Sequence, residues 1–433
     1  MDLQDQEMIN KPNLEQKLEF VNPLSDAPNY RETQKELISA AQKVSGGDPL
    51  GALTYIVTCL SHEGYDVEFH MVFITRETHE PYTEKELKEQ REEEEWAFRN
   101  DDFYSRDDYE EYENDEVIIE LPIIETEPKD ELGYYVSWGD GTITHNNNKH
   151  TYKMKKDIVE YDVKFFGFGI AAFGAPANDK YFGYRTSLTK VITFGNLGHN
   201  FVSLKNAFNS CRCLHELPLT LPKTIKNTSK MFFGCSYMNE PIDMWDVSNV
   251  EDMSGMFKHC EFFNQPLNTW DVSFVKNMSE MFCYSTNFKQ SIDCWDTSSV
   301  TNMQSMFYGC GHQVLASMNS WDVSKVTNMQ HMFAGCAYYD QPMDAWDVSS
   351  VVNMRGMFSG CKIFNQPLNS WALNKQGDPK VECENMFSNC LQFDQPLDNW
   401  RVGPDFNKAH TIRSYMFHGC CKSDDFMPAH PDN

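Results

Sequence analysis

Residues 245–269 read WDVSNVEDMSGMFKHCEFFNQPLNT, and residue 270 is the tryptophan that begins the next copy of the same pattern. The unit can be written W-D-V-S-x-V-x-N-M-x-x-M-F-x-x-C-x-x-F-N-Q-P-L-x-x. Its tryptophans are 25, 25, 26, 25, 25 and 29 residues apart, at Trp245, Trp270, Trp295, Trp321, Trp346, Trp371 and Trp400. A fixed period of roughly this length is typical of stacked repeats. We therefore predict a solenoid of about nine coils.

The apolar residues of the unit predict its local structure. Val250, Met253, Met256, Phe257 and Cys260 are three or four residues apart, which predicts one face of a short helix or 3₁₀ turn. A serine stands two residues before the valine, where its hydroxyl could cap that helix. These serines are Ser248, Ser273, Ser298, Ser324 and Ser349. Stacked coils would bury the apolar face in a continuous core.

A cysteine recurs once per unit, and this column of cysteines can be interpreted in three ways. It could form disulfides between coils, because stacked strands bring Cα atoms within bridging distance. It could bind zinc. The favoured interpretation is a small buried filler, because serine replaces it at Ser285 and free cysteine is often buried. The column comprises Cys211, Cys235, Cys260, Cys310, Cys336, Cys361, Cys390 and Cys420.

Two polar columns accompany the core positions. The aspartate after each tryptophan could form a calcium ladder, but a structural contact with the neighbouring coil is the better interpretation, since calcium-binding glycine-rich nonapeptides are absent. The glutamine of F-N-Q-P could face a partner protein or bond along the stack. The aspartates are Asp246, Asp271, Asp296, Asp322 and Asp347, and the glutamines are Gln265, Gln290, Gln341, Gln366 and Gln395.

Composition limits the partners. The 433 residues carry a net charge of −27, which disfavours nucleic acid and anionic lipid and leaves basic or neutral protein surfaces. No run of apolar residues is long enough to span a membrane. Residues 1–15 are polar, so we expect no secretion signal and an intracellular or virion location. In such a compartment the 14 cysteines are expected to be reduced.

The chain before the repeats divides by composition. We predict an N-terminal arm with a helix at residues 31–44, then strands from residue 52 to 75, with a hairpin turn at 62–65. The acidic stretch 84–116 is predicted to be an insertion that could act as a docking surface through Phe103, Tyr104, Tyr109 and Tyr112. The predicted divisions are 1–50 for the arm, 51–184 for a β-domain, 185–421 for the solenoid and 422–433 for the tail.

A second motif lies in the predicted β-domain. Residues 134–142 read YYVSWGDGT, and His150-Thr-Tyr152 and a strand from Tyr161 to Gly167 follow. The Asp-Gly pair predicts a tight hairpin. These ordered motifs resemble those of PKD-like domains, which implies an immunoglobulin-like β-sandwich without catalytic function. Asp140 could bind a metal with His145 or His150, although a turn aspartate is the simpler interpretation.

The repeats also resemble a known family. The A-F-x-x-C segment at residues 207–211 and the M-F-x-x-C segments from Met231 to Met416 are similar to the Trp- and Met-rich branch of the BspA-like leucine-rich repeats, found in mycoplasma-type surface lipoproteins. The resemblance implies an α+β chain whose solenoid binds other proteins.

The sequence contains no P-loop, nucleophile elbow or metalloprotease motif. We therefore predict a non-enzymatic interaction or assembly protein without a cofactor, with capsid or scaffold proteins as candidate partners. One form of this hypothesis is a minor structural protein of a large DNA virus, and another is a cell-surface adhesin. An alternative is a ligand-binding or enzymatic pocket near residues 167–198, at the junction of the β-domain and the repeats. Irregular repeats suggest a further binding region at the inserted link 374–379.

Overall fold

The computed structural model covers the β-domain and most of the repeats. It describes residues 39, 41–43, 45–48, 50–52, 56–57, 68–75, 116–127, 129, 132–153, 159–167, 169–174, 182–195, 197–310, 316–371, 373, 381–397, 400 and 416–420. The hairpin predicted at 62–65, the acidic stretch 84–115, the link 374–379 and the tail 422–433 lie outside these residues. The described protein is mostly β-structure and turns with few helices.

The N-terminal segment differs in part from the prediction. Its described residues between 39 and 43 are helical, as predicted, and are followed by a turn at Gly46 and Gly47. The described residues from 50 to 57 are also helical, where strands were predicted. Ala52 and Ile56 are both fully buried. They are four residues apart, so a helix places both on one face.

From residue 68 onward, the described part of the β-domain contains nine strands and a short helix. A five-stranded sheet has the order β5-β4-β7-β1-β9, and β2 with β6 and β3 with β8 form two ribbons. The strands are β1 (Phe69–Thr75), β2 (Glu116–Glu120), β3 (Ile123–Glu125), β4 (Tyr134–Ser137), β5 (Ile143–His145), β6 (Lys149–Lys153), β7 (Val159–Gly167), β8 (Ile170–Phe173) and β9 (Leu188–Thr193), and the helix is α1 (Phe182–Ser187). All strand pairs in these sheets are antiparallel.

The W-G-D-G-T motif forms the predicted hairpin between β4 and β5. The Trp138 N–H donates to the Thr142 carbonyl at 3.0 Å, and one Asp140 carboxylate oxygen accepts a bond from the Thr142 N–H at 2.9 Å. The other carboxylate oxygen lies 2.8 Å from His150 Nε2. His145 instead contacts the Leu132 carbonyl. Asp140 therefore acts as a turn residue that also holds His150.

The sheet is joined directly to the first repeats. The Val191 N–H of β9 donates to the Glu216 carbonyl at 2.9 Å, and the Phe173 N–H of β8 donates to the Ser203 carbonyl at 3.0 Å. The buried Tyr184 hydroxyl of α1 donates to the Ala207 carbonyl at 2.8 Å. One continuous hydrophobic core runs from these strands into the repeats. The predicted boundary at 184/185 falls inside α1, and β9 belongs to the sheet of β1.

The M-x-x-M-F-x-x-C segment is a run of β-turns. It has the i→i+3 bonding of the predicted 3₁₀ turn, and it does not form the short helix that was the other predicted form. The carbonyls of Met253 and Phe257 accept bonds from the N–H three residues later, at 3.1 and 3.0 Å. The third residues of these turns, Gly255 and His259, have φ of 60° and 58°. A right-handed helix requires negative φ at every residue, so two left-handed residues per segment exclude it. Apolar spacing alone did not reveal this backbone conformation.

The turns leave alternate backbone groups available to the next repeat. The N–H groups of Met253, Gly255, Phe257 and His259 donate to carbonyls one repeat later at 2.8 to 3.0 Å. Single parallel bridges link Ser203, Asn227, Asp252, Asn277, Asn302, Asn328, Asn353 and Glu382 in order. Consecutive repeats are therefore stacked in parallel and in register.

The tryptophans form a buried, hydrogen-bonded column. All seven have at most 4% of their surface exposed. Each indole Nε1 donates to a backbone carbonyl of the preceding repeat at 2.8 to 3.0 Å. Because indole has one donor and each finds an acceptor, the ring can be buried without an unsatisfied polar group.

Phenylalanines fill the space beside the tryptophans. Neighbouring rings of the M-F column have centroids 5.5 to 5.9 Å apart. A second column packs on the first with centroids 4.1 to 4.3 Å away. That second column consists of Phe263, Phe288, Tyr339, Phe364 and Phe393. The tyrosine introduces a hydroxyl into an otherwise apolar column.

We expect Tyr339→Phe to stabilise the protein. Tyr339 is 1% exposed and its hydroxyl has no hydrogen-bond partner within the described part of the chain. Removing an unsatisfied buried hydroxyl should raise the free energy of unfolding by about 1 kcal/mol. Urea denaturation measures this, with Tyr338→Phe as a control because Tyr338 is 53% exposed. A lower stability for Tyr339→Phe than for the wild type would contradict the expectation.

The cysteine column consists of free thiols, which are buried except at the partly buried Cys420. Cys336 donates its S–H to the Phe307 carbonyl of the preceding repeat at 2.9 Å, and the equivalent contact recurs along the column. The Ser285 hydroxyl makes the same bond to Phe257. All twelve described cysteines are free. The small-filler interpretation therefore agrees with the geometry, with a donated hydrogen bond as an added function.

The column thiols are expected to resist alkylation in the native protein. Burial raises the pKa of Cys235 to about 12 and that of Cys260 well above its usual range, so the reactive thiolate is rare. Among the described cysteines, the exposed Cys213 and Cys294 should react about 100-fold faster or more. Mass-spectrometric mapping of alkylated sites over time checks this. A double variant with serine at those two positions should lack the fast labelling, and fast labelling of Cys260 would contradict the burial argument.

No helix among the described residues is long and apolar enough to cross a membrane.

Candidate interaction surface

The geometry does not assemble a metal centre from the described residues. No group of three or more histidine, cysteine, aspartate or glutamate side chains in these ranges could hold a metal ion. The column thiols are protonated and donate to carbonyls. The candidate functional regions are therefore the sides of the stack.

The predicted glutamine column bonds along the stack. The Nε2 groups of Gln265, Gln290, Gln366 and Gln395 donate to a backbone carbonyl of the preceding repeat at 2.7 to 3.2 Å. Gln341 has the same place in its repeat and is partly buried. These amides thus tie neighbouring repeats together, whether or not a partner also contacts them. The four aromatic residues predicted at 103–112 lie outside the described residues.

The aspartate column forms local turns. The Oδ1 atom of each aspartate accepts the N–H of the serine two residues later at 3.0 to 3.2 Å. Bonds from Ser298 and Ser324 hold the pKa of Asp296 and Asp322 below the usual carboxyl range. The serines therefore do not cap helices as predicted, because no helix follows them and the aspartates accept their N–H groups.

The variable residues of the repeats lie on one side of the turn segments. In each N-M-x-x-M-F-x-x-C segment the Met, Phe and Cys side chains enter the core, and four variable residues lie between them. We call the side of the stack formed by these variable residues the turn face, and some of them, including Phe233 and Lys258, are themselves buried. It runs the length of the stack because the segments are in register. Several of its positions are glycine, which leaves parts of the face without side chains.

A continuous aromatic strip crosses the turn face over five successive repeats. Its members are Phe233, His259, Tyr284, Tyr308 and His331. Successive ring centroids are 5.7, 4.8, 5.2 and 6.1 Å apart. These distances are within the range of favourable aromatic pairs. We call these five residues the aromatic strip.

Three members of the strip have strained backbone conformations. His259, Tyr284 and His331 have φ of 58°, 59° and 55°. The left-handed region costs an L-residue roughly 1–2 kcal/mol, and glycine avoids this cost. Glycine occupies the equivalent positions in other repeats, as at Gly335 and Gly356. Lys230, Glu280 and Ser305 have the same positive φ, so this conformation belongs to the turns of every repeat and does not depend on the rings.

Charged groups border the strip. The Lys258 ammonium lies 5.8 Å from the centroid of the Phe233 ring and 3.4 Å from the Glu280 carboxylate. At the other end a shallow depression is lined by Gln330, His331, Arg355, Glu384 and Asn385. Desolvation by burial lowers the pKa of His331 below its usual range. The turn face thus already has the Lys258 ammonium group beside the Phe233 ring.

The sequence carries a signal for the strip that apolar spacing does not reveal. The residues are visible as aromatic substitutions at positions that hold small residues in other repeats. Their adjacency depends on how the variable positions of successive turns align. That alignment follows from the two left-handed residues per segment, which apolar spacing did not predict.

Comparison with known proteins identifies one family. The sequence profile of the family described as "Mycoplasma protein of unknown function, DUF285" matches residues 202–314 and 311–426. Together these ranges cover more than half of the 433 residues. No curated protein and no solved structure matches the chain.

Proposed function

The chain belongs to the family of Mycoplasma proteins of unknown function whose profile spans its repeats, and from that premise we propose that it is a non-enzymatic protein-interaction or assembly protein. Its turn face would bind the partner, with the aromatic strip as the central contact. The observation that carries the proposal is the row of five neighbouring rings on the turn face. Aromatic residues are enriched at the energetic centres of protein interfaces.

The architecture supports a rigid binding surface. Each repeat is fixed to its neighbours by backbone bonds, the indole column and the stacked phenyl rings. Side chains on such a stack lose little further freedom on binding, which lowers the entropic cost of association. We propose that the stack is a leucine-rich-repeat-like solenoid and that the preceding sheets are an immunoglobulin-like sandwich of the PKD type. The parallel bridges and the W-G-D-G-T hairpin support these assignments.

The proposal is tested with a triple variant, His259→Gly, Tyr284→Gly and His331→Gly. Glycine removes the rings and relieves the left-handed strain, so stability should change by no more than about 1 kcal/mol per site. Binding should fall, because the strip is gone. Affinity purification of the full chain from its native source, followed by quantitative mass spectrometry, compares the two proteins.

The matched control is Ser210→Gly with Asn389→Gly. Both residues have φ of 58–61° and lie outside the strip and the depression beside His331, so they share the backbone change and not the rings. Partners lost from the triple variant and kept by the control support the proposal. Capsid or scaffold proteins among them would support the assembly role, and cell-surface partners the adhesin role. Equal partner recovery by all three proteins, or recovery of a bound metabolite alone, would contradict it.

A further inference from the structure

The last ring of the aromatic strip, His331, lies across a glycine of the next repeat. A Cβ at Gly356 would overlap the Nδ1 and Cε1 atoms of His331, so the imidazole packs directly on the Gly356 backbone. The ring also meets Tyr308 of the preceding repeat at a centroid distance of 6.1 Å and an interplanar angle of 87°. We call this position of the imidazole the Gly356 seat. Both contacts are ones that a neutral ring satisfies.

The Gly356 seat is unfavourable for a charged ring. The Nδ1 atom of His331 is buried and has no hydrogen-bond partner within the described part of the chain. An imidazolium has an N–H at both nitrogens, and a buried donor without an acceptor costs free energy. Burial accordingly lowers the pKa of His331 by more than the Gly356 backbone raises it, and the positive charge of Arg355 lowers the pKa further.

The charged groups beside the seat come from the next two repeats. Arg355 follows His331 by one repeat, and Glu382 and Glu384 follow by two. The Arg355 Nε atom donates to Glu384 at 3.1 Å, and a terminal nitrogen of Arg355 lies 3.7 Å from Glu382. His331, Arg355 and Glu384 line one shallow depression. Its neutral members are Gln330 and Asn385. A ring that left the seat would therefore enter a depression that contains the Glu384 carboxylate.

We propose that His331 is a pH-sensitive switch in the turn face. The neutral ring stays in the Gly356 seat and completes the aromatic strip, whereas the protonated ring leaves the seat toward Glu384. The strip then lacks its last ring, so a partner that binds the strip binds less tightly at acidic pH. The inference rests on the proposed function and adds the regulation of the same surface.

The direction of the effect follows from proton linkage. A histidine in contact with solvent titrates near pH about 6.5, whereas the ring in the seat has a lower pKa. As the pH falls through about 6.5, the released ring takes up a proton before the seated ring does, so the seated state loses population. At higher pH the ring is neutral in both positions, and the contacts with Gly356 and Tyr308 keep it in the seat.

Hydrogen–deuterium exchange at the histidine C2 position, mapped by mass spectrometry in the full chain, tests the switch. Its pH midpoint reports the protonation of an imidazole, and its rate reports the exposure. Gly356→Ala fills the seat, so the His331 midpoint should rise to about 6.5 and the exchange should become severalfold faster.

The matched control is Gly360→Ala. Gly360 also has positive φ, at 76°, but a Cβ there would meet only Gly335 at an ordinary distance of 3.6 Å. This variant has the same kind of backbone penalty and leaves the Gly356 seat open, so the His331 midpoint should stay at its wild-type value. A wild-type midpoint at the ordinary histidine value, or equal shifts in the two alanine variants, would overturn the proposal.

Partner capture at two pH values distinguishes this inference from the proposed function. Between about pH 7.5 and about pH 5.5, the wild type should lose capture severalfold, whereas His331→Phe should keep it, because phenylalanine retains a ring that does not titrate. Equal losses by the two proteins would overturn the switch and leave the proposed function standing. If the glycine triple variant of the strip captures the same partners as wild type, the proposed function fails, whatever the exchange of His331 shows.

Discussion

Replacing Trp346 by alanine is expected to lower the free energy of unfolding by about 3–5 kcal/mol. The ring is 3% exposed and stacks on Trp371 at a centroid distance of 6.3 Å. Its Nε1 donates to the Met318 carbonyl at 2.9 Å. Alanine therefore removes buried apolar surface, leaves a cavity between repeats and breaks a buried hydrogen bond.

Urea denaturation followed by circular dichroism measures the change. Because a stack unfolds through nearest-neighbour contacts, the loss could appear as a separate early transition of the repeats beyond the substitution. Trp346→Phe should cost less, since it keeps most of the ring and loses the indole bond. Met244→Ala is the control, because Met244 is 71% exposed. Equal effects of the Trp346 and Met244 substitutions would refute the role of the indole column.

The second large effect is expected from Gly309→Ala. Gly309 has φ of 73°, and a Cβ there would lie 2.5 Å from the Tyr284 ring. Alanine therefore incurs the left-handed penalty and also displaces a ring of the aromatic strip. The two costs together should lower stability by about 2–4 kcal/mol.

Gly335→Ala separates these two costs. Gly335 has φ of 77°, but a Cβ there would lie 3.5 Å from Gly309, which is an ordinary contact. Gly335→Ala should lower the free energy of unfolding only by the backbone penalty of about 1 kcal/mol. In a double-mutant cycle, adding Tyr284→Gly to Gly309→Ala should restore most of the stability that Gly309→Ala loses beyond the backbone penalty. Adding Tyr284→Gly to Gly335→Ala should restore none. Additive effects of Tyr284→Gly and Gly309→Ala would show that the ring does not lie over Gly309.

The repeats could be predicted from the sequence because their core residues recur at fixed intervals. Tryptophan, methionine, phenylalanine and cysteine were all assigned to the interior, and each column is buried. The similarity to the Trp- and Met-rich repeats of mycoplasma-type proteins is confirmed by the family match. The W-G-D-G-T hairpin was also predictable, since its aspartate and glycines determine a local turn without help from distant residues.

The misassigned segments share a physical cause. Apolar residues at three- and four-residue spacing fit a helix, but they fit a run of turns equally well when every third or fourth residue has positive φ. Glycine marks this conformation at Gly255, whereas residues such as Tyr284 conceal it. Around residues 50–57 the same ambiguity produced the opposite error, a strand predicted where the described residues are helical.

The sequence by itself determined that the chain is a stack of repeats with an aromatic and sulfur-containing core, because burial repeats with the period of the unit. Only the tertiary structure decided what the surface contains. The glutamine amides bond along the stack, whereas five rings far apart in sequence meet on the turn face. That difference arises because in-register stacking converts residues about 25 positions apart into neighbours, and backbone bonds between repeats set which of their variable side chains align.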